Sequence, residues 1–120
     1  MLNFLYVGLG GFAGAALRYG VSVLASALAW QGHWGTWAVN VLGSLAIGFC
    51  APCFENPAHA GRLFLVVGVL GGFTTFSSFS LDTLALFQNR GFGPAALNVL
   101  LNVGVCLVAV WAGFKLQKMC

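Results

Sequence analysis

The chain has 120 residues, 60% of them hydrophobic and 6% charged, with a mean hydropathy of +0.94. So little charge cannot keep the surface of a soluble domain in water, which excludes a water-exposed enzyme or binding module. The net charge of +3 is scattered as Arg18, Arg62, Arg90, Lys115 and Lys118 against Glu55 and Asp82, with no basic stripe, so no nucleic-acid partner is expected.

Four apolar segments follow one another, about Asn3 to Trp30, Trp37 to Phe54, Leu63 to Gln88 and Pro94 to Leu116. Each is near the roughly 20 residues that cross a bilayer, so the pattern predicts an all-α membrane protein with four transmembrane helices in one domain, residues 1–120. The amino terminus lacks the basic start of a secretory signal, and the first helix is expected to be retained. Arg62, Lys115 and Lys118 on one side against Arg90 on the other bias the termini only weakly toward the cytoplasm. A chain so weakly oriented can insert both ways. Four helices hardly enclose a polar path alone, so a dimer is expected, with the antiparallel form as a hypothesis.

In the first helix Gly10 with Gly14, and Gly11 with Ala15, form faces of small residues that let a neighbouring helix come close. Arg18 falls roughly 22 Å along it at about 1.5 Å per residue, near the far edge of the hydrocarbon. It either snorkels to the headgroups or raises the potential at the mouth of an anion path. The second helix is expected to open after the H-W-G-T of residues 33–36, with Trp30, Trp34 and Trp37 as an interfacial belt. Asn40, about one turn inside, is either packing glue or a pore-lining donor, and Ser44 and Gly48 supply another close-packing face.

Cys50 and Cys53 have C-x-x-C spacing, but they lie at the end of a membrane helix beside Pro52 rather than at an exposed helix start. With Cys106 and Cys120 they read as small apolar residues. His33 and His59 fall in loops without a spaced ligand set, so no side-chain metal site is expected.

The third helix contains the most unusual stretch, G-V-L-G-G-F-T-T-F-S-S-F-S from Gly68 to Ser80. Gly71 and Gly72 weaken a helix, and Thr74, Thr75, Ser77 and Ser78 compete for its backbone hydrogen bonds, so a break is expected there. At membrane depth each freed N–H or C=O must meet protein, water or an ion, which makes the break a candidate ion site. Phe76 and Phe79 would face the same way if helix resumes, presenting electropositive ring edges. Asp82, beyond the break, is placed at the helix end or in a vestibule. The fourth helix starts at Pro94 and sets Asn98, Asn102 and Cys106 along one face. That stripe either bonds between helices or lines a path.

Three motifs, G-G-F-A-G-A-A-L-R-Y, G-T-W-A-V-N-V-L-G-S and G-G-F-T-T-F-S-S-F-S, resemble in order and spacing the signatures of the Fluc (CrcB-like) fluoride channel family. The resemblance covers nearly the whole chain. It implies an antiparallel, dual-topology homodimer in the bacterial inner membrane, with two fluoride pores and a central structural sodium ion on backbone carbonyls of the third-helix break. Carried over by position, Gly71 and Thr74 supply sodium carbonyls. Phe76 and Phe79 flank the fluoride path, Asn40 contacts it, and Arg18 lies near the vestibule. Ser77, Ser78, Asn98 and Asn102 are the remaining pore candidates. The fourth helix departs from the family pattern, with Asn98, Asn102 and Cys106 where a tyrosine and then serine or threonine are expected; asparagine still donates to an anion.

The physics agrees. Fluoride is small and tightly hydrated, so several polarised donors must replace its water. The implied purpose is protection, since hydrogen fluoride enters cells neutral and dissociates, and the trapped anion leaves passively. Two alternatives come from other classes. A small multidrug-type exporter wants a membrane carboxylate in the first helix, where this chain has Arg18 and no acid. A purely structural membrane subunit leaves Phe76, Phe79 and the threonine-rich stretch unexplained. No nucleophile with a nearby base supports an enzyme.

Overall fold

The computed structural model describes residues 1–120 and is entirely helical. Helix α1 spans Leu2–Ala27 and α2 spans Gly32–Cys50, ending in a 3₁₀ turn, Ala51–Cys53, that carries Pro52. Helix α3 covers residues 60–73, α4 spans Phe76–Arg90, and α5 spans Phe92–Met119. Four stretches are long and apolar enough to cross a membrane: Leu2–Ala27, Gly32–Cys53, Ala60–Arg90 and Phe92–Met119. The longest dimension, 45 Å, matches the about 40–45 Å of a bilayer with its headgroups.

The burial pattern is that of a protein solvated by lipid. Leu5, Leu9, Phe12, Leu81 and Leu107 all point outward, while Asn98 and Asn102 are among the most buried residues. Water would reverse that arrangement; hydrocarbon favours it, because polar side chains there must find partners inside the bundle.

Local signals explain several helix ends. His59 caps α3 by accepting the Gly61 N–H at 3.1 Å. Gly91, the one residue between α4 and α5, has φ 88° and ψ −172°, a conformation open essentially to glycine alone. That single-residue hinge turns the chain back and sets α4 beside α5. Helix α2 begins at Gly32, five residues before the expected Trp37, so His33 and Trp34 lie in its first turn rather than in a loop. The Trp34 N–H already closes a turn onto the Gln31 carbonyl at 2.9 Å, and edge-on contact between Trp34 and Trp37, with ring centroids 5.9 Å apart, favours a shared helical face.

Two close parallel pairs form the bundle, α1 with α3 and α2 with α5. A Cβ added at Gly14 would fall on the Val69 carbonyl oxygen of α3, and one added at Gly113 would fall on the Leu45 carbonyl oxygen of α2. Any larger residue forces these backbones apart, so the small-residue faces fix which helices are neighbours. Residues Leu63–Leu70 of α3 and Leu101–Val105 of α5 are wound as π-helix. Such winding is rare and often marks functional segments; here one stretch leads into the α3–α4 junction and the other lies between Asn98 and Cys106.

Candidate functional site: a polar ladder beside two phenylalanines

Between α3 and α4 two residues leave the helical region. Thr74 (φ −78°, ψ 156°) and Thr75 (φ −151°, ψ 122°) are extended, whereas Gly71 and Gly72 remain helical. The interruption thus lies just past the glycine pair that weakens the helix, and its cause is tertiary. Asn40 on α2 accepts the Thr75 N–H at 2.8 Å through Oδ1 and donates Nδ2 to the Thr75 carbonyl at 3.0 Å. One amide side chain therefore pairs with both backbone groups of Thr75, as a strand neighbour would. The Thr75 hydroxyl then caps α4, accepting the Ser78 N–H at 3.2 Å.

These two captures change the accounting of the preceding carbonyls. In a continuous helix the Thr75 N–H would serve the Gly71 carbonyl and the Ser78 N–H the Thr74 carbonyl. Here the first goes to Asn40 and the second to the Thr75 hydroxyl. Gly71 and Thr74 therefore both lose the donor that helix geometry provides. Backbone oxygens in this position are ligands suited to a hard cation.

From Asn40 the polar contacts run head to tail. Its Nδ2 also donates to Asn102 Oδ1 at 3.1 Å; Asn102 Nδ2 donates to Asn98 Oδ1 at 3.1 Å; Asn98 Nδ2 donates to Thr83 Oγ1 at 2.9 Å; Thr83 Oγ1 donates to the Phe79 carbonyl at 2.7 Å. The indole N–H of Trp37 adds a bond to the Leu101 carbonyl at 3.3 Å, tying α2 to the π-wound part of α5. Alongside the start of this ladder lies a cleft of about 330 Å³, lined among others by Asn40, Thr75, Phe76, Phe79, Asn102 and Cys106. The two phenylalanine rings meet edge-on, with centroids 5.2 Å apart and planes at 62°. Phe79 is buried, whereas Phe76 is 77% exposed on the single chain.

The cleft thus brings together Asn40, Asn102, Phe76 and Phe79, with Thr74 also on its wall. Asn98 joins through the ladder. Ser77 and Ser78 do not line it; their hydroxyls lie 3.2 Å from the Thr75 hydroxyl and belong to the α4 cap. Gly71 is exposed, and half-buried Arg18, on α1, lies outside the cleft. Asp82 sits within α4, eight residues before its end at Arg90, not at the helix terminus. Sequence reasoning gave no site role to Thr75, Thr83 or Trp37. A hydroxyl residue just before the resumed helix is a capping signal that could have found Thr75; the other two show no local sign.

Residues 5–114 match the family described as CrcB-like protein, Camphor Resistance (CrcB). The chain belongs to the CrcB-like family. It is 56% identical over 118 residues to a fluoride-specific ion channel FluC of Elusimicrobium minutum, covering 97% of this chain and 94% of that one. A protein of the same description from Agrobacterium fabrum is 45% identical over 122 residues, covering 98% of each chain. The similarity to these CrcB-like relatives runs through all four membrane spans, so the α3–α4 junction and the asparagine ladder both lie within the shared chain. The CrcB-like chain is accordingly a multi-pass membrane protein and not an enzyme.

What this site offers chemically is a row of neutral amide donors and aromatic edges with no formal charge on the cleft wall. Asn40 and Asn102 each divide their amide N–H groups between a backbone carbonyl and a neighbouring asparagine side chain, and the side-chain partner is one that an anion can displace. Hydrogen bonds to a charged acceptor are worth about 1.5–3 kcal/mol against about 1 kcal/mol for neutral ones, a gain that offsets part of the hydration an anion gives up.

Proposed function

We infer that the chain is a passive, fluoride-selective channel of the bacterial inner membrane, acting as a homodimer of two oppositely inserted copies with two pores. The observation that carries this reading is the cleft in which Asn40 and Asn102 face Phe76 and Phe79, in a chain whose relatives are named fluoride-specific channels. Amide N–H groups and ring edges replace the water of a small, hard anion without a fixed cation to trap it, which conduction requires. The exposure of Phe76 supports the dimer, since a second copy would cover that ring and close the open side of the cleft. Flow down the gradient needs no coupling carboxylate or nucleotide. Its biological value is removal of fluoride trapped after hydrogen fluoride dissociates inside the cell.

A structural sodium ion fits the residues present. The diverted Thr75 and Ser78 N–H groups leave the Gly71 and Thr74 carbonyls without helical donors. Two carbonyls are too few for a hard cation, and a second copy meeting the first at this junction supplies two more. When bound, the ion holds the junctions together and contributes positive potential between the pores. Replacing sodium by a large organic cation is therefore expected to lower the melting temperature of the purified dimer by about 5 °C or more, the shift produced by roughly 1 kcal/mol in a domain of this size. Equal melting in both media would remove the cation from the account.

The decisive experiment for the function is passive efflux from liposomes holding the purified protein, with fluoride or chloride inside and a potassium/valinomycin shunt. Rapid fluoride release with negligible chloride release is expected. Retention of fluoride by vesicles containing a folded dimer would refute the channel.

A further inference from the structure

Through Asn98 the ladder also borders a second set of cavities toward the far end of α4. A cleft of about 270 Å³ is lined by Asn98 together with Gln31, His33, Leu86 and Arg90. A neighbouring cleft of about 230 Å³ shares Gln31, His33, Leu86 and Arg90 and adds Asp82. Asn98 thus touches the ladder on one side and this opening on the other. Arg90 is fixed there, donating Nη1 to Gln31 Oε1 at 2.9 Å across 59 residues of sequence. One carboxylate oxygen of Asp82 is buried and has no hydrogen-bond partner.

We propose that Arg90 is the anion-collecting residue of a mouth that continues the asparagine ladder to the membrane surface. The inference rests on the fluoride-channel reading above. Its logic is electrostatic. The mouth holds one carboxyl side chain, Asp82, and one guanidinium, Arg90, both on α4; α2 adds His33, and the part of α5 facing it, from Pro94 to Leu101, has no ionisable side chain. A lone carboxylate in a low-dielectric opening repels an approaching anion. The guanidinium, held by Gln31 in the same opening, cancels that repulsion and raises the local anion concentration. Without Arg90 the mouth is left with the Asp82 charge alone.

The test uses fluoride flux through the full-length dimer in liposomes, with sodium present throughout. Flux is measured at an ionic strength of about 10 mM and again at about 1 M set by an impermeant organic salt, where charges are screened beyond roughly 3 Å. Arg90→Gln, which keeps a hydrogen-bonding amide, is expected to lower flux about three- to tenfold at low ionic strength and to converge on the wild type at high. Arg90→Lys, which keeps the charge, should follow the wild type in both. Unchanged flux in Arg90→Gln at low salt, an equal loss at both ionic strengths, or failure of lysine to rescue would overturn the proposal. Failure of the wild-type protein to conduct in the same vesicles would instead count against the channel reading itself.

Discussion

Fluoride efflux from liposomes is expected to fall at least about tenfold when Phe79 is replaced by isoleucine, and by as much for Phe76→Ile, with the purified protein still monodisperse. The ring edge is what isoleucine lacks. Losing about 1.4 kcal/mol of ion stabilisation slows passage tenfold, and an anion stripped of water depends on each donor it meets. Phe79 is buried against the ladder's end, where its own carbonyl accepts the Thr83 hydroxyl, so the substitution changes the ring while leaving that backbone bond in place. Phe76 is exposed on the single chain and tolerates a smaller side chain without a cavity in its own subunit. Wild-type flux from both variants would show that the rings only pack.

Asn40 carries the second large effect, and there fold and flux can be separated. Asn40→Ala removes the acceptor of the Thr75 N–H, the donor to the Thr75 carbonyl and the donor to Asn102. Each orphaned group costs about 1–3 kcal/mol if water cannot reach it, and the open cleft relieves part of that, so a net loss of about 2–4 kcal/mol is expected. Thermal unfolding in detergent would record it. Asn40→Asp retains an oxygen for the Thr75 N–H, and so should melt nearer the wild type, yet it places a negative charge on the cleft wall and should conduct little fluoride. An aspartate variant that conducts normally would mean that the anion does not pass Asn40.

The four spans were legible from hydropathy because the bilayer imposes length and apolarity on each segment separately. What depended on contacts between segments was displaced or hidden. Gly71 and Gly72 pointed to the weak region, but the extended residues are Thr74 and Thr75, because Asn40 lies across from Thr75 and takes its N–H. The stripe of Asn98 and Asn102 was visible from spacing alone, whereas its direction toward Thr83 was not, since that bond joins two helices across the Gly91 hinge. Ser77 and Ser78 carry pore-like chemistry in sequence, yet their hydroxyls are drawn into the α4 cap. The mouth could not be read at all: Gln31 and Arg90 meet only because α2 begins on the side where α4 ends.

The head-to-tail order of the ladder has an electrical meaning. Asn40, Asn102 and Asn98 each donate to the next side chain toward Thr83, so the amide part of the ladder has one sense along a single chain. In the proposed dimer of oppositely inserted copies, that row would be present once in each sense. Any electrical asymmetry of one subunit would then be matched by its opposite, and the proposed pair would be a symmetric leak governed only by the gradient across it.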